Sequence, residues 1–235
     1  MDRERSHRLS AHGQWMACLS AALFWSVAAL AALPASPLSD EVYFYREETG
    51  DSVKEVTWRL RKGETYILTY TSPVERHVTT TGTDYDTRDW RVTAGNGKTR
   101  FSAERTGRSI VVRGMVEGRP VDKQLDIDES PWYQATSLSL RELVASGDSE
   151  RVFWTIRMDT LTAHKIRAVK KGVESVDIDG SQKALLRIRL SLPGMLAPFW
   201  KSDYWFALPA GIFFRFEGPS GPPGSPMTVV TRSPV

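Results

Sequence analysis

The feature that most constrains the fold of this 235-residue chain is a recurring unit of strand, glycine turn and strand. Short runs rich in β-branched and aromatic residues are separated by turn pairs such as Lys62-Gly63, Asn96-Gly97 and Lys171-Gly172. Glycine and asparagine tolerate the positive φ angles of tight turns, and such turns join antiparallel strands. The pattern therefore predicts an all-β protein, an antiparallel half-open barrel of roughly 11 to 13 strands in one domain over residues 36–235.

One short segment interrupts the strand pattern. Within residues 137–146, leucine and valine side chains fall at near-helical intervals, and the segment ends before Gly147. Ser139 and Glu142 have the spacing of a capping box, in which a serine and a glutamate satisfy the first N–H groups of a helix. We predict one short helix here.

Residues 1–35 have a different composition from the rest of the chain. A polar segment with three arginines precedes an almost uncharged run from Trp15 to Leu33, and Ala29-Leu30-Ala31 has the small residues of a cleavage site. This order predicts a secretory signal peptide, and hence a protein of the periplasm or cell envelope. A run of about 19 apolar residues is also long enough to span a bilayer, so an uncleaved signal anchor, the one expected membrane-spanning segment, is the alternative.

Composition and charge exclude several classes of protein. The formal net charge is +3 and charged residues of both signs are interspersed, which gives no electrostatic basis for binding nucleic acid. The single cysteine, Cys18, lies in the N-terminal apolar run, so the remaining chain cannot form an internal disulfide. Its stability must come from apolar burial and sheet hydrogen bonds.

Catalytic and metal-binding motifs are missing from the sequence. His77 and His164 are the histidines outside the N-terminal segment, and neither has the spacing of a zinc site. No G-x-S-x-G or phosphate-binding glycine motif occurs. We predict no catalytic residue, no metal and no cofactor; a hydrolase that uses the acidic clusters at 84–89 and 126–129 is a remaining alternative.

The stretch from 184 to 217 carries apolar side chains on both faces of its second half. The runs 204–208 and 212–216 are rich in aromatic residues, which suits either a barrel core or the wall of an apolar cavity. We predict four side chains as the wall of a ligand site: Trp154, Trp205, Phe206 and Phe214.

An unusually apolar loop lies within the same stretch. Met195, Leu196, Phe199 and Trp200 connect two predicted strands, and loops are seldom apolar unless they fill a cavity, contact a partner or lie on a membrane. The loop therefore predicts a docking site for an envelope protein or a membrane.

Repeated hairpins and a central helix are followed by a strand and then by the segments SDYWFALPAG and FFRFEG. This layout resembles that of two related groups of exported proteins. These are the lipoprotein carriers and receptors of the Lol system and similar periplasmic domains of unknown function. The resemblance, one of layout over about residues 40–232, implies an incomplete barrel around an apolar cavity that helical segments partly cover. The leading hypothesis is a non-catalytic envelope protein that binds a lipid, acyl chain or lipoprotein, and a structural or assembly factor is the alternative.

Overall fold

A computed structural model describes residues 40–221 and 224–234 of the chain. The predicted signal segment at 1–35 lies outside these residues. Within the described ranges no helix is long and apolar enough to cross a membrane.

The described residues form a single antiparallel sheet that curls without closing, which confirms the predicted fold class. The sheet has 14 strands, slightly more than predicted, and its order is β8-β7-β6-β5-β4-β3-β2-β1-β14-β13-β12-β11-β10-β9. The strands are β1 (Glu41–Thr49), β2 (Ser52–Lys62), β3 (Tyr66–Thr71), β4 (Glu75–Thr81), β5 (Thr87–Ala94), β6 (Thr99–Thr106), β7 (Ser109–Val116), β8 (Arg119–Asp126), β9 (Glu150–Arg157), β10 (Thr162–Ile178), β11 (Ser181–Ser191), β12 (Lys201–Ala207), β13 (Ile212–Pro219) and β14 (Met227–Arg232).

Two of the three turn predictions are confirmed and one is wrong. Lys62-Gly63 ends β2 before β3, and Asn96, with φ of 54°, lies in the turn between β5 and β6. Lys171-Gly172 is not a turn, because β10 continues through it and stays paired with β11 on both sides. The extra residue forms a β-bulge, which Gly172 accommodates with φ of 103°.

Because every strand is antiparallel to its neighbours, the connections alternate between two rims of the barrel. The connection from β8 to β9 contains α1 (Thr136–Ser139) and α2 (Arg141–Ala145), and we call its side the helix rim. The turns after β1, β3, β5, β7, β9, β11 and β13 lie on the opposite side, the cavity rim. The predicted helix is therefore present as two short helices at one end of the barrel.

The helices are held by contacts other than the predicted capping box. Neither helix has a side-chain cap, and Ser139 Oγ donates a hydrogen bond to Tyr85 O at 2.9 Å. Arg141 is buried and donates to Glu41 Oε2 at 3.0 Å, at the start of β1. Apolar side chains of both helices enter the core clusters inside the sheet, so the helix rim is filled.

The exposed edge of β9 is tied to the rest of the barrel by Pro131–Gln134, which we call the latch. Trp154 N donates to Pro131 O at 2.8 Å, and Tyr133 N donates to Trp154 O at 2.8 Å. On its other side the latch accepts a hydrogen bond from Thr87 N, at the start of β5. The latch thus connects β9 to β5 across the gap that the open sheet leaves.

The fold predicts unequal responses to alanine at two glycines. Gly114 in β7 has φ of 143°, and a Cβ there would lie 2.6 Å from Phe101 Cα and closer still to Arg100 O. Because backbone atoms cannot move aside easily, Gly114→Ala should lower the free energy of unfolding by about 2 kcal/mol or more in urea titrations. Gly147→Ala, where a Cβ meets nothing within 4 Å, is the control and should change it little. Equal effects of the two substitutions would contradict the described β6–β7 packing.

Candidate functional site

Two adjoining cavities open among the strand ends at the cavity rim. One has a volume of about 460 Å³ and the other about 450 Å³. Met158, Pro219 and Ser220 line both, so the two cavities adjoin at these residues. We call them the apolar arm and the polar arm after the side chains that line them.

The apolar arm lies between β9, β10 and the loop before β12. Ile166, Leu192 and Trp200 are among its apolar lining residues. Its charged residues are paired, since Arg157 Nε donates to Asp159 Oδ1 at 3.1 Å. Burial, followed by the nearby Arg157 charge, lowers the pKa of His164, so this side chain is a weaker base than usual. The arm therefore presents apolar surface with little free charge.

An arc of four rings crosses the polar arm on neighbouring strands. Trp58, Tyr70, His77 and Trp90 occupy β2, β3, β4 and β5, and all four line the cavity. Successive ring centroids are 6.5, 5.1 and 5.8 Å apart. The register causes this arrangement, because Trp58 is paired directly with Tyr70, and Tyr70 directly with His77. We call these four side chains the aromatic arc.

Two carboxylates, which we call the acidic pair, stand beside the aromatic arc. Glu47 and Glu75 both line the polar arm, and Lys54 Nζ lies 3.1 Å from Glu47 Oε1 and 3.4 Å from Glu75 Oε1. Tyr70 Oη donates to Glu75 Oε1 at 3.1 Å, and His77 Nε2 lies 3.2 Å from Glu75 Oε2. The hydrogen bond with His77, reinforced by Lys54, lowers the pKa of Glu75 to about 2 despite burial. Glu75 is therefore ionised at neutral pH.

The floor of the polar arm is the start of the helical segment. Residues 134–137 line the cavity there, and the hydroxyls of Thr136 and Tyr204 are 2.8 Å apart. Burial raises the pKa of Tyr204 to about 12, so its hydroxyl stays protonated. The latch and α1 thus close the cavity toward the helix rim.

The four residues predicted as a ligand wall are not brought together. Phe206 is fully buried in the main core, whereas Trp205 and Phe214 belong to a separate small cluster with Ile178. Phe214 is the extra residue of a bulge in β13 and lies outside the main core. Phe213 and Phe216, on either side of it in the chain, both pack on the main core. Trp154 packs on the cluster formed by β5–β8, and its Nε1 donates to Asp128 Oδ1 at 2.8 Å. None of the four lines either arm, and their role in ligand binding stays a prediction.

The predicted docking loop lies on the cavity rim. Met195, Leu196 and Phe199 are 93, 56 and 66 % exposed. Trp200 instead turns toward the molecule: it lines the apolar arm, and its Nε1 donates to Gly221 O at 3.1 Å. Exposed apolar surface therefore continues from this loop to the cavity.

The two acidic clusters have structural partners. Asp86 binds Arg105 and accepts a hydrogen bond from Trp132 N at 2.8 Å, which fixes the latch. Asp128 is bound by Lys165 and by Trp154 Nε1, and the Lys165 hydrogen bond lowers the pKa of its carboxyl well below the usual range. In the part of the chain that the structure describes, no three potential metal ligands come together.

Sequence reasoning missed the acidic pair and the aromatic arc. The signal was present in the alternation of Tyr43, Tyr45 and Glu47, and of Glu75 and His77, which places each charged or polar side chain on the inner face. Pairing across four strands could not be read from the spacing alone, because register between strands depends on the whole sheet.

Comparison with known proteins supports the fold and gives no activity. No protein-family model matches the chain, and a search of curated proteins also finds no match. The chain is similar to the crystal structure of a beta-barrel-like protein of the domain of unknown function DUF1849 from Brucella abortus, with a TM-score of 0.58 and 10% identity. The match covers 84% of this chain and 96% of that one. The similarity supports a barrel-like domain of unknown function and indicates no catalytic family, while the Lol-type resemblance stays a prediction.

The state of Glu75 predicts a pH-dependent contribution to stability. Its pKa is about 2 in the folded protein and 4.5 without the fold, so the contribution is present above pH 4.5 and is lost as the pH falls toward 2. Wild type should exceed Glu75→Gln in free energy of unfolding by on the order of 1–3 kcal/mol at pH 7. Denaturant titrations of both proteins from pH 7 to pH 2.5 should show this difference shrinking, and a constant difference would contradict the assignment.

Proposed function

We propose that the protein is an exported, non-catalytic binding protein of the cell envelope that holds an apolar ligand, a lipid or acyl chain, in the cavity of its half-open barrel. The observation that carries the proposal is the difference between the two rims. The helix rim is filled by buried side chains of α1 and α2, whereas the cavity rim leads into two adjoining arms. A barrel closed at one end and hollow at the other is the form of a binding cavity.

The lining of the cavity supports an apolar ligand. The apolar arm offers Ile166, Leu192 and Trp200, and the polar arm offers Phe213 and Phe216 in addition to the aromatic arc. Transfer of apolar surface from water into such a space contributes roughly 25 cal/mol per Å². An acyl chain, including that of a lipoprotein, gains this free energy along its whole buried length.

The first test places a charge in the apolar arm. Leu192→Asp should weaken binding of the apolar fluorescent probe N-phenyl-1-naphthylamine by about tenfold or more, because an unpaired carboxylate is costly to bury. Fluorescence titration measures the affinity, and native mass spectrometry reports any lipid that copurifies.

A matched control separates cavity binding from surface binding. Val173→Asp adds the same charge at an exposed apolar residue of β10 that lines neither arm, and should leave probe affinity unchanged. Both variants must keep the wild-type far-UV circular dichroism. Failure of wild type to bind the probe, together with the absence of copurified lipid, would rule out the proposal.

A second candidate function is docking through the cavity rim. Six large apolar side chains are exposed on this rim, three in the loop at 195–199 and three near the strand ends: Val53, Val74, Met195, Leu196, Phe199 and Met227. Exposed apolar groups concentrated on one side of a protein are typical of a surface that meets a membrane or a protein partner. Such docking would bring the mouth of the cavity next to the source or recipient of the ligand.

This candidate predicts a specific loss of association. Met195→Ser with Phe199→Ser should abolish co-flotation of the protein with phospholipid vesicles, or its cross-linking to an envelope partner, because both side chains are exposed and contribute apolar contact. Val173→Ser serves as the control for removal of exposed apolar surface elsewhere. Unchanged association of the double variant would count against docking through the loop.

A further inference from the structure

The polar arm combines two groups that attract an organic cation. Aromatic faces attract ammonium groups through the ring quadrupole, and cages of several rings recognise quaternary ammonium ligands. Within the aromatic arc, the partly buried Trp58 and Tyr70 line the cavity with such rings, whereas Trp90 is almost fully buried and His77 is an imidazole beside Glu75. Glu47 and Glu75 add carboxylates to the same cavity.

The charge balance of this wall favours a cation over an anion. Among the described residues that line the polar arm there is no lysine or arginine. Lys54 contacts both Glu47 and Glu75, so the pair has two carboxylates for one lysine. A carboxylate, sulfate or phosphate that entered the arm would meet the acidic pair, and the nearby Lys54 is already bound to both of these carboxylates.

We propose that the polar arm binds the ammonium head of a single-chain amphiphile whose hydrocarbon chain occupies the adjoining apolar arm. The head lies against the aromatic arc and the acidic pair, and the chain passes Met158 and Pro219, which line both arms, toward Leu192 and Trp200. This inference rests on the proposed binding of an apolar ligand and defines the class of ligand more closely.

The position of the two arms side by side, with Met158 and Pro219 lining both, favours an amphiphile. A small cation without a chain would leave the apolar arm empty, and an uncharged hydrocarbon would leave the acidic pair without a new partner. A molecule with one cationic end and one apolar end matches both linings at once. Burial of the carboxylates beside aromatic rings further strengthens their attraction for a cation, since the effective dielectric constant is lower there than in water.

The test compares three head groups that carry the same dodecyl hydrocarbon chain. Dodecyltrimethylammonium, dodecyl maltoside and dodecanoate, each below its critical micelle concentration, are titrated into the purified protein by isothermal calorimetry. We expect the cation to bind about tenfold or more tightly than dodecanoate, with the maltoside between them. Tetramethylammonium, which has the head without the chain, should bind far more weakly than the amphiphile.

Charge-removing variants locate the preference. Glu47→Gln with Glu75→Gln keeps the size of both side chains and should reduce the advantage of the cation over the maltoside to about twofold or less. Glu129→Gln, which alters an exposed carboxylate outside the cavity, should retain the full advantage. Tyr70→Leu removes one ring of the aromatic arc and should lower the affinity for dodecyltrimethylammonium more than the affinity for the maltoside. Tyr70→Phe keeps the ring and should preserve the difference between the two affinities.

The outcomes separate this inference from the proposed function. If none of the three amphiphiles binds, both are overturned. If all bind with equal affinity, the apolar cavity stands and the cationic site is overturned. The site would also be overturned if the preference for the cation were unchanged in the double variant, Glu47→Gln with Glu75→Gln, and unchanged in Tyr70→Leu. The selectivity would then arise elsewhere in the protein. The head-group comparison in wild type decides the question even if a variant fails to fold.

Discussion

The rest of the structure depends on how the open sheet satisfies the edge of β9. An unpaired edge strand exposes a row of backbone N–H and C=O groups, and an open sheet has two such edges. The latch pairs with Trp154 in β9 and with Thr87 in β5, while the Gln134 side chain donates to Ile156 O and accepts from Ile156 N, both at 3.0 Å. These bonds hold the sheet in a curl, deliver α1 and α2 to the helix rim, and leave the opposite rim hollow. The other edge, β8, is protected differently, by Pro120 and by exposed charged side chains.

Two charged clusters, one at each rim, show why the cavity rim is the better candidate for function. At the helix rim, Glu41 binds both Lys62 and Arg141, and although burial opposes it, these hydrogen bonds lower the pKa of Glu41 to about 2. That cluster has two cations for one carboxylate and anchors α2. At the cavity rim the ratio is reversed, with Glu47 and Glu75 sharing one lysine at the wall of an open space. Glu75 is stabilised by His77 and Lys54, but Glu47 shares the same lysine, so a cationic ligand would supply a second positive charge to the pair.

The sequence predicted the fold class and most hairpins because those depend on local patterns. Alternating side chains and residues such as Asn96 determine strands and turns within a few positions. It failed at Gly172, where the local signal of a turn is the same as that of a bulge, and at Ser139, whose partner Tyr85 O is distant in sequence. The site was harder still. Neighbouring aromatic residues such as Trp205 and Phe206 enter different clusters, whereas the cavity wall is assembled from single residues on many strands, whose register no short pattern specifies.

A shared fold at 10% identity leaves the chemistry of the cavity to the residues of each chain. Here the residues on either side of the mouth differ in chemistry. On one side Trp200 connects the exposed loop to the apolar arm, so the proposed acyl chain would meet apolar side chains both at the loop and in the arm. On the other side the acidic pair and the aromatic arc would hold the proposed cationic head at the rim. An amphiphile held in this way would enter chain first beneath the loop and stop when its head reached Glu47 and Glu75, which gives the asymmetric mouth one physical explanation.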